Sequence, residues 1–249
     1  MLHRVHDYSH LVTRWRAVAK RAGLRLRKFA HADGFDLFHL QSPRLGSAPG
    51  LYVSAGIHGD EPAAPEALLR WAEKHVARLA GWPLLLFPCL NPWGLRNNVR
   101  TDASGRDLNR LFHDEAHPVI AGVRGITKPH RFAVAITMHE DYDAQGIYLY
   151  EVYRDGRHAG EKLLAAGGRI LPADRRAKIE GRTAESGLIR RKIPPKLFEK
   201  IGLPEAIWLH REHSDSTFTF ETPSEADVER RIRAQMAVLD MCLHLVIDR

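Results

Sequence analysis

The sequence predicts an α/β fold: a mostly parallel sheet covered by helices on both faces. The short apolar runs LYVSAG (51–56), PLLLFPCL (83–90) and FAVAITMH (132–139) read as strands. They are continuously apolar rather than alternating, as strands buried on both faces are. A helical stripe lies between the first run and the second, and strand, helix, strand is the order of a parallel unit.

The elements follow in chain order. Residues 9–22 place Leu11, Trp15, Val18, Ala19 and Ala22 at helical spacing, with Gly23 suited to the position after the helix. LRLRKFA and FDLFHLQ alternate apolar and polar residues across the turn signal His31–Ala32–Asp33–Gly34, which predicts a hairpin. Helix, hairpin and the loop Gly46 to Gly50 form an N-terminal extension, residues 1–50, of what reads as one domain spanning 1–249. After LYVSAG, Pro62 opens a helix striped by Ala64, Leu68, Ala72, Val76 and Leu79 and ended by Gly81. IYLYEVY and FTFE predict further strands, His158 to Ala166 a helix, and Ser224 to Val246 a terminal helix with Val228, Ile232, Met236, Leu239 and Leu243 inward. The basic stretch 169–200 follows no period and is expected to line or cover the cleft.

A chain of 249 residues buries roughly three quarters of its unfolded surface, so its core needs no disulfides. Cys89, inside LLLFPCL, reads as core. The amino terminus, MLHRVHDYSHL, has no apolar run of signal-peptide length, and no segment approaches the roughly 20 apolar residues of a membrane helix. A cytoplasmic protein without a membrane partner is the expectation. Lys and Arg exceed Asp and Glu, 37 against 30. The excess gathers at Arg14 to Lys28, with seven basic residues and no acidic one, and at Arg169 to Lys200, with ten against four. Such a balance suits anionic partners or is simply a solvated face. No zinc-finger spacing, RNP-type aromatic motif or basic zipper accompanies it, so nucleic acid is not the expected partner.

Two His-x-x-Glu pairs occur, His58/Glu61 and His158/Glu161. The first sits just beyond a buried strand and at the mouth of a helix, where open α/β sheets bind ligands. The second lies in GRHAGEKLLAAGG, the surface pattern of a charged helix. A catalytic zinc takes three protein ligands and keeps one open position. His139 closes the strand FAVAITMH, where the sheet can bring it beside the first pair; His210 and His213 in HREH are rival ligands. NPWGLRNNVRTDASGRDLNRLF packs Arg96, Arg100, Arg106 and Arg110 among Asn, Asp and Gly. Planar Arg and Asn donors match carboxylates and oxyanions, and Asp107 could orient a ligand histidine. Glu221, ending the strand in FTFETPS, is placed to move a proton.

The order of these motifs resembles the zinc carboxypeptidase family: HGDE (58–61), NPWG (91–94) followed by Arg100, DLNR (107–110), TMHED (137–141) and FTFETP (218–223). The likeness spans Leu51 to Pro223, and five elements in order are specific where any one is not. It implies a three-layer α/β/α sandwich around a mixed, mostly parallel sheet, and one Zn2+ per chain held by His58, Glu61 and His139. It implies further that Asp107 partners His58, Arg100 stabilises an oxyanion, Asn109 and Arg110 grip a terminal carboxylate, and Glu221 is the general base. Arg96 and Arg106 share the loop with Arg100. Digestive members close a mobile-loop tyrosine over substrate, but here no tyrosine follows Tyr153. That departure points to a compact bacterial-type member, similar to murein-peptide amidases or to the succinylglutamate desuccinylase and aspartoacylase branch. The implied substrate is a small peptide or an N-acyl amino acid with a free carboxylate; NPWG and ETP favour the peptidase. A non-catalytic basic binding module is the remaining alternative.

Overall fold

The computed structural model describes residues 4–153, 158–193 and 202–248. Its centre is β3 (Gly50–Ala55), whose six residues are all buried. β4 (Leu84–Phe87) and β5 (Phe132–Asp141) flank it in parallel. β10 (Ser216–Pro223) runs parallel to β5. The hairpin β1 (Leu26–Ala32) and β2 (Phe35–Gln41) adds to β4, while β6 (Tyr148–Tyr153) and β9 (Leu188–Arg191) add beyond β10. The order β1-β2-β4-β3-β5-β10-β6-β9 is therefore mixed, with a parallel centre. β7 (Lys178–Ile179) and β8 (Arg182–Thr183) form a separate small ribbon.

Side chains alternate across each strand, and each face has its own apolar layer. Leu51, Val53, Ile136 and Phe218 meet α1 (Tyr8–Arg21), α2 (Ala63–Lys74), α5 (Gly160–Gly168) and α7 (Val228–Ile247). Tyr52, Leu85, Phe87 and Ala135 meet α4 (Pro118–Thr127) and α6 (Glu205–Glu212). This is the expected three-layer sandwich. The hairpin turns on Asp33 and Gly34, at φ 52° and 82°, the two positive angles a tight two-residue turn requires.

Two local expectations need correction. α2 stops at Lys74 rather than Gly81, because Asp240 of α7 holds its end by accepting from Trp71 Nε1 at 2.8 Å and contacting His75 Nε2 at 2.7 Å. A 3₁₀ turn at Leu79–Gly81 then keeps Leu79 inward. α4 and α6 were not expected: the Gly in PVIAGVRGIT and the brevity of EAIWLHRE weaken their helical signal, and packing on the sheet supplies what propensity does not. Of the basic stretch 169–200, residues 194–200 lie outside the described residues.

Cys89 and Cys242 are both free and buried. Burial pushes the Cys89 thiol up to about 12, which fits a core residue and not a nucleophile. No helix among the described residues is long and apolar enough to cross a membrane.

His39 gives the fold an acid-sensitive point. Burial, with Arg27 nearby, lowers its pKa from 6.5 to about 4, and its ring packs against Phe29 and Phe87. The unfolded chain binds the proton first, so stability is whole above pH 6.5 and declines as pH falls towards 4. We expect a loss on the order of 2 kcal/mol across that window. Urea unfolding at both ends of it should show the loss in the wild type and a smaller one in His39→Phe; equal losses would contradict the assignment.

Candidate metal centre and its cleft

The chain leaves β3 through Gly56 and reaches His58 and Glu61 before α2 begins. Gly56 has φ 61°, and a Cβ there would lie 2.8 Å from Pro65 Cγ, so this turn needs glycine twice over. A Cβ on Gly59 would fall 1.9 Å from the carbonyl carbon of Gly94. The loop bearing His58 and Glu61 thus rests backbone to backbone on α3 (Pro92–Asn97). That contact gives the glycines of HGDE and NPWG a packing reason. Asn91 caps α3 by accepting from Gly94 N at 2.8 Å, and its Nδ2 donates to the carbonyls of Arg100 and Thr101 at 3.3 and 3.0 Å. The polar loop is tied to the same support.

His139 comes from the carboxyl end of β5. Gln235 of α7 donates to its carbonyl at 3.3 Å. The next residue, Glu140, accepts from Ala63 N at 2.6 Å and pairs with Arg231. β5 is thereby locked to the starts of α2 and α7.

His58, Glu61 and His139 are each 2 % exposed, and their donor atoms all lie within 4.8 Å of one another. His58 Nδ1 is 2.5 Å from Glu61 Oε1, and His139 Nδ1 is 2.9 Å from Glu61 Oε2. Both Nδ1 atoms therefore face one carboxylate. His58 Nε2 meets Asp107 Oδ1 at 3.2 Å, which would hold a proton on Nε2 and leave Nδ1 to ligate once an ion displaces its own proton. Asp107 Oδ2 accepts from Arg100 Nε and Nη2 at 3.2 and 3.1 Å, and Arg100 Nη1 lies 3.7 Å from Glu61.

Electrostatics follow the geometry. Burial lowers the His58 pKa, but Glu61 and Asp107 outweigh it and lift the group to about 9. Burial raises Glu61, yet the two imidazoles draw it down to about 2. A fully buried carboxylate that stays ionised marks a place built for positive charge. Two imidazole nitrogens and a carboxylate oxygen are a donor set that zinc accepts, so the residues fit such an ion.

Glu221 stands on β10 directly between His139 on β5 and Tyr148 on β6. Burial holds its carboxyl well above the usual range; His139 opposes this and Glu61 adds to it. Glu221, Arg100, Asn109 and Arg110 line a cleft of about 210 Å³ with the His-Glu-His cluster at its base. Asn109 Oδ1 accepts from Glu205 N at 2.9 Å, so only its Nδ2 donors can serve a ligand. Of the loop arginines, Arg100 stands at the cluster, whereas Arg106 is tied to Asp102.

The rival groups lie elsewhere. His213 Nδ1 contacts the His130 carbonyl at 3.0 Å, and Phe132 at the start of β5 bridges to Ser214. That is seven residues before His139 in the strand, roughly 23 Å along the sheet. His158 faces Glu151, and Glu161 pairs with Arg190. Among the described residues, the cluster able to hold a metal is His58, Glu61 and His139.

Sequence reasoning missed Tyr148, Tyr150, Glu180 and Arg191, which also line the cleft. Tyr148 donates to Asp141 at 2.9 Å and Tyr150 to Glu180 at 2.5 Å. The strand IYLYEVY was visible, but which of its faces meets β10 was not. The cleft thus has phenols from a sheet strand. Glu180, Arg191 and Ile193 bring part of the basic stretch to the cleft, as expected.

Residues 47–141 match the model of the succinylglutamate desuccinylase/aspartoacylase catalytic domain. No curated protein matches the sequence. Solved structures share the fold. A candidate metallopeptidase of Shewanella amazonensis has a TM-score of 0.86 at 21 % identity, covering 97 % of this chain and 94 % of that one. A metallo-carboxypeptidase from Burkholderia cenocepacia gives 0.69 at 15 % identity, with 95 % and 68 % covered. A metallo-carboxypeptidase from Pseudomonas aeruginosa, in complex with (2-guanidinoethylmercapto)succinic acid, gives 0.67 at 19 %, with 95 % and 68 % covered.

Proposed function

For a chain similar to the zinc carboxypeptidase-like family near its desuccinylase branch, we propose a zinc-dependent hydrolase that cleaves an amide bond beside a free carboxylate in a small peptide. His58, Glu61 and His139 are its ligands for one ion. The observation that carries this reading is a single one. The buried donor set, Glu221 and two arginines meet in one cleft at the carboxyl ends of β3, β5 and β10.

Zinc bound there would supply Lewis-acid polarisation of the amide carbonyl and a lowered pKa for attacking water. Arg110 fixes the substrate carboxylate with its planar fork, aided by the Nδ2 donors of Asn109. Arg100, braced by Asp107, keeps Nη1 towards the developing oxyanion. Glu221 takes the proton from the attacking water and delivers it to the leaving nitrogen. Its raised pKa falls when positive charge settles at the cluster beside it, which readies it as a base.

The test is hydrolysis of short peptides by zinc-loaded protein, its loss on chelation and its return with zinc. A zinc-loaded protein inert towards every amide offered would sink the proposal. Arg110→Ala is expected to lower kcat/KM by roughly 10- to 100-fold, the loss of one charge-assisted hydrogen bond. The loss should fall mainly on KM and shrink for a substrate whose carboxylate is amidated; equal losses on both would contradict the role.

A second reading is deacylation of an N-acyl amino acid at the same site. It is favoured by the domain model matching residues 47–141, which hold the three ligands and the arginine loop. Side-by-side turnover of acetyl-aspartate, succinyl-glutamate and a murein tripeptide separates the two.

A further inference from the structure

Two buried polar atoms near the cluster have no hydrogen-bond partner: His139 Nε2 and Glu205 Oε2. The contrast with His58 is direct, since Asp107 satisfies that ring's Nε2. An unsatisfied buried donor or acceptor costs about 1–3 kcal/mol, so two such atoms on one face of the sheet call for an account. Glu205 is fully buried at the first position of α6, which packs on β5 and β10. Tyr52 donates to its Oε1 at 2.5 Å. Tyr52 pairs with Ala135 and Ser54 with Thr137 in the sheet, so these residues share the face that carries His139 two positions further on. Burial raises the Glu205 carboxyl, and Tyr52, Ser54 and then the imidazoles of His139 and His58 oppose it. Asn109, at the cleft, accepts from the Glu205 backbone and fixes where α6 begins.

We propose that Glu205 is the positioning residue of His139. Its Oε2 accepts the Nε2 proton through one buried water, and so leaves Nδ1 to ligate beside Glu61, as Asp107 does for His58. Tyr52 holds the other carboxyl oxygen and thereby aims Oε2. This inference rests on the metal-centre reading above.

The test uses the full chain and zinc alone. Ring-nitrogen NMR of the zinc-loaded wild type should show the His139 Nε2 proton hydrogen-bonded and slow to exchange. Glu205→Leu, which removes the acceptor, should leave that proton fast to exchange and weaken zinc binding by roughly 10- to 100-fold. Glu205→Gln keeps a carbonyl acceptor and should recover part of both. Should the Leu variant not fold, Glu205→Gln and Tyr52→Phe decide the matter. The first must weaken zinc measurably, and the second, which leaves the carboxylate in place, must weaken it less. A His139 Nε2 proton that exchanges equally fast in the wild type and in Glu205→Leu, or zinc affinity unchanged in Glu205→Gln and Glu205→Leu alike, overturns the inference alone. A wild type that holds no zinc overturns the metal-centre reading and this inference with it.

Discussion

Glu221→Gln is expected to lower kcat by roughly 100- to 10,000-fold, the range general acid–base catalysis supplies. Zinc content and KM should change little. The reasoning begins with position: Glu221 is fixed by strand pairing on both sides, opposite His139 and Tyr148, so the amide occupies the same place with the same contacts. What it loses is the ability to take up a proton. Burial already holds the carboxyl well above its usual range and so favours the uncharged acid, which the amide matches in charge and shape. The variant should therefore be at least as stable thermally as the wild type. Full activity in a zinc-loaded Gln variant would remove Glu221 from the reaction.

His139→Ala should have the largest effect on metal uptake. Removing an outer partner of a ligand typically costs 10- to 100-fold in affinity, and removing one of only three ligands should cost more. Calorimetric titration with zinc reads this directly. His213→Ala is the matched control. That imidazole belongs to the far end of β5, against Trp208 and the His130 carbonyl, so its loss should affect stability and leave zinc affinity intact. If His213→Ala abolished binding and His139→Ala did not, the site would lie elsewhere.

The fold was legible because its central strands are apolar on both faces and the helices between them are striped. LYVSAG and FAVAITMH could hardly be anything but interior strands, and both are buried along nearly their whole length. Where local signals are weak, tertiary packing decides. α4 and α6 form because the sheet offers them an apolar face, and a single sequence does not display that face. The meeting of His58, Glu61 and His139 was readable from motif order, since parallel strands deliver their carboxyl ends to one edge. Tyr150, Glu180 and Arg191 were not readable. Tyr150 and Arg191 reach the cleft through the pairing of β6 with β10 and β9, and Glu180 from the turn of the β7–β8 ribbon; nothing in YLYEVY or LIRR states that partnership. Glu205 was hidden for the same reason: in sequence it is one acidic residue after a proline, and only α6 docked on the sheet puts it against Tyr52, on the face that carries His139.

A crystal of the protein soaked in zinc, measured above the zinc absorption edge, tests the central claim most directly. The account predicts one anomalous peak per chain, bound by Nδ1 of His58, Nδ1 of His139 and the Glu61 carboxylate, and open to the cleft on its remaining side. A peak ligated by other side chains, or none at saturating zinc, would contradict it.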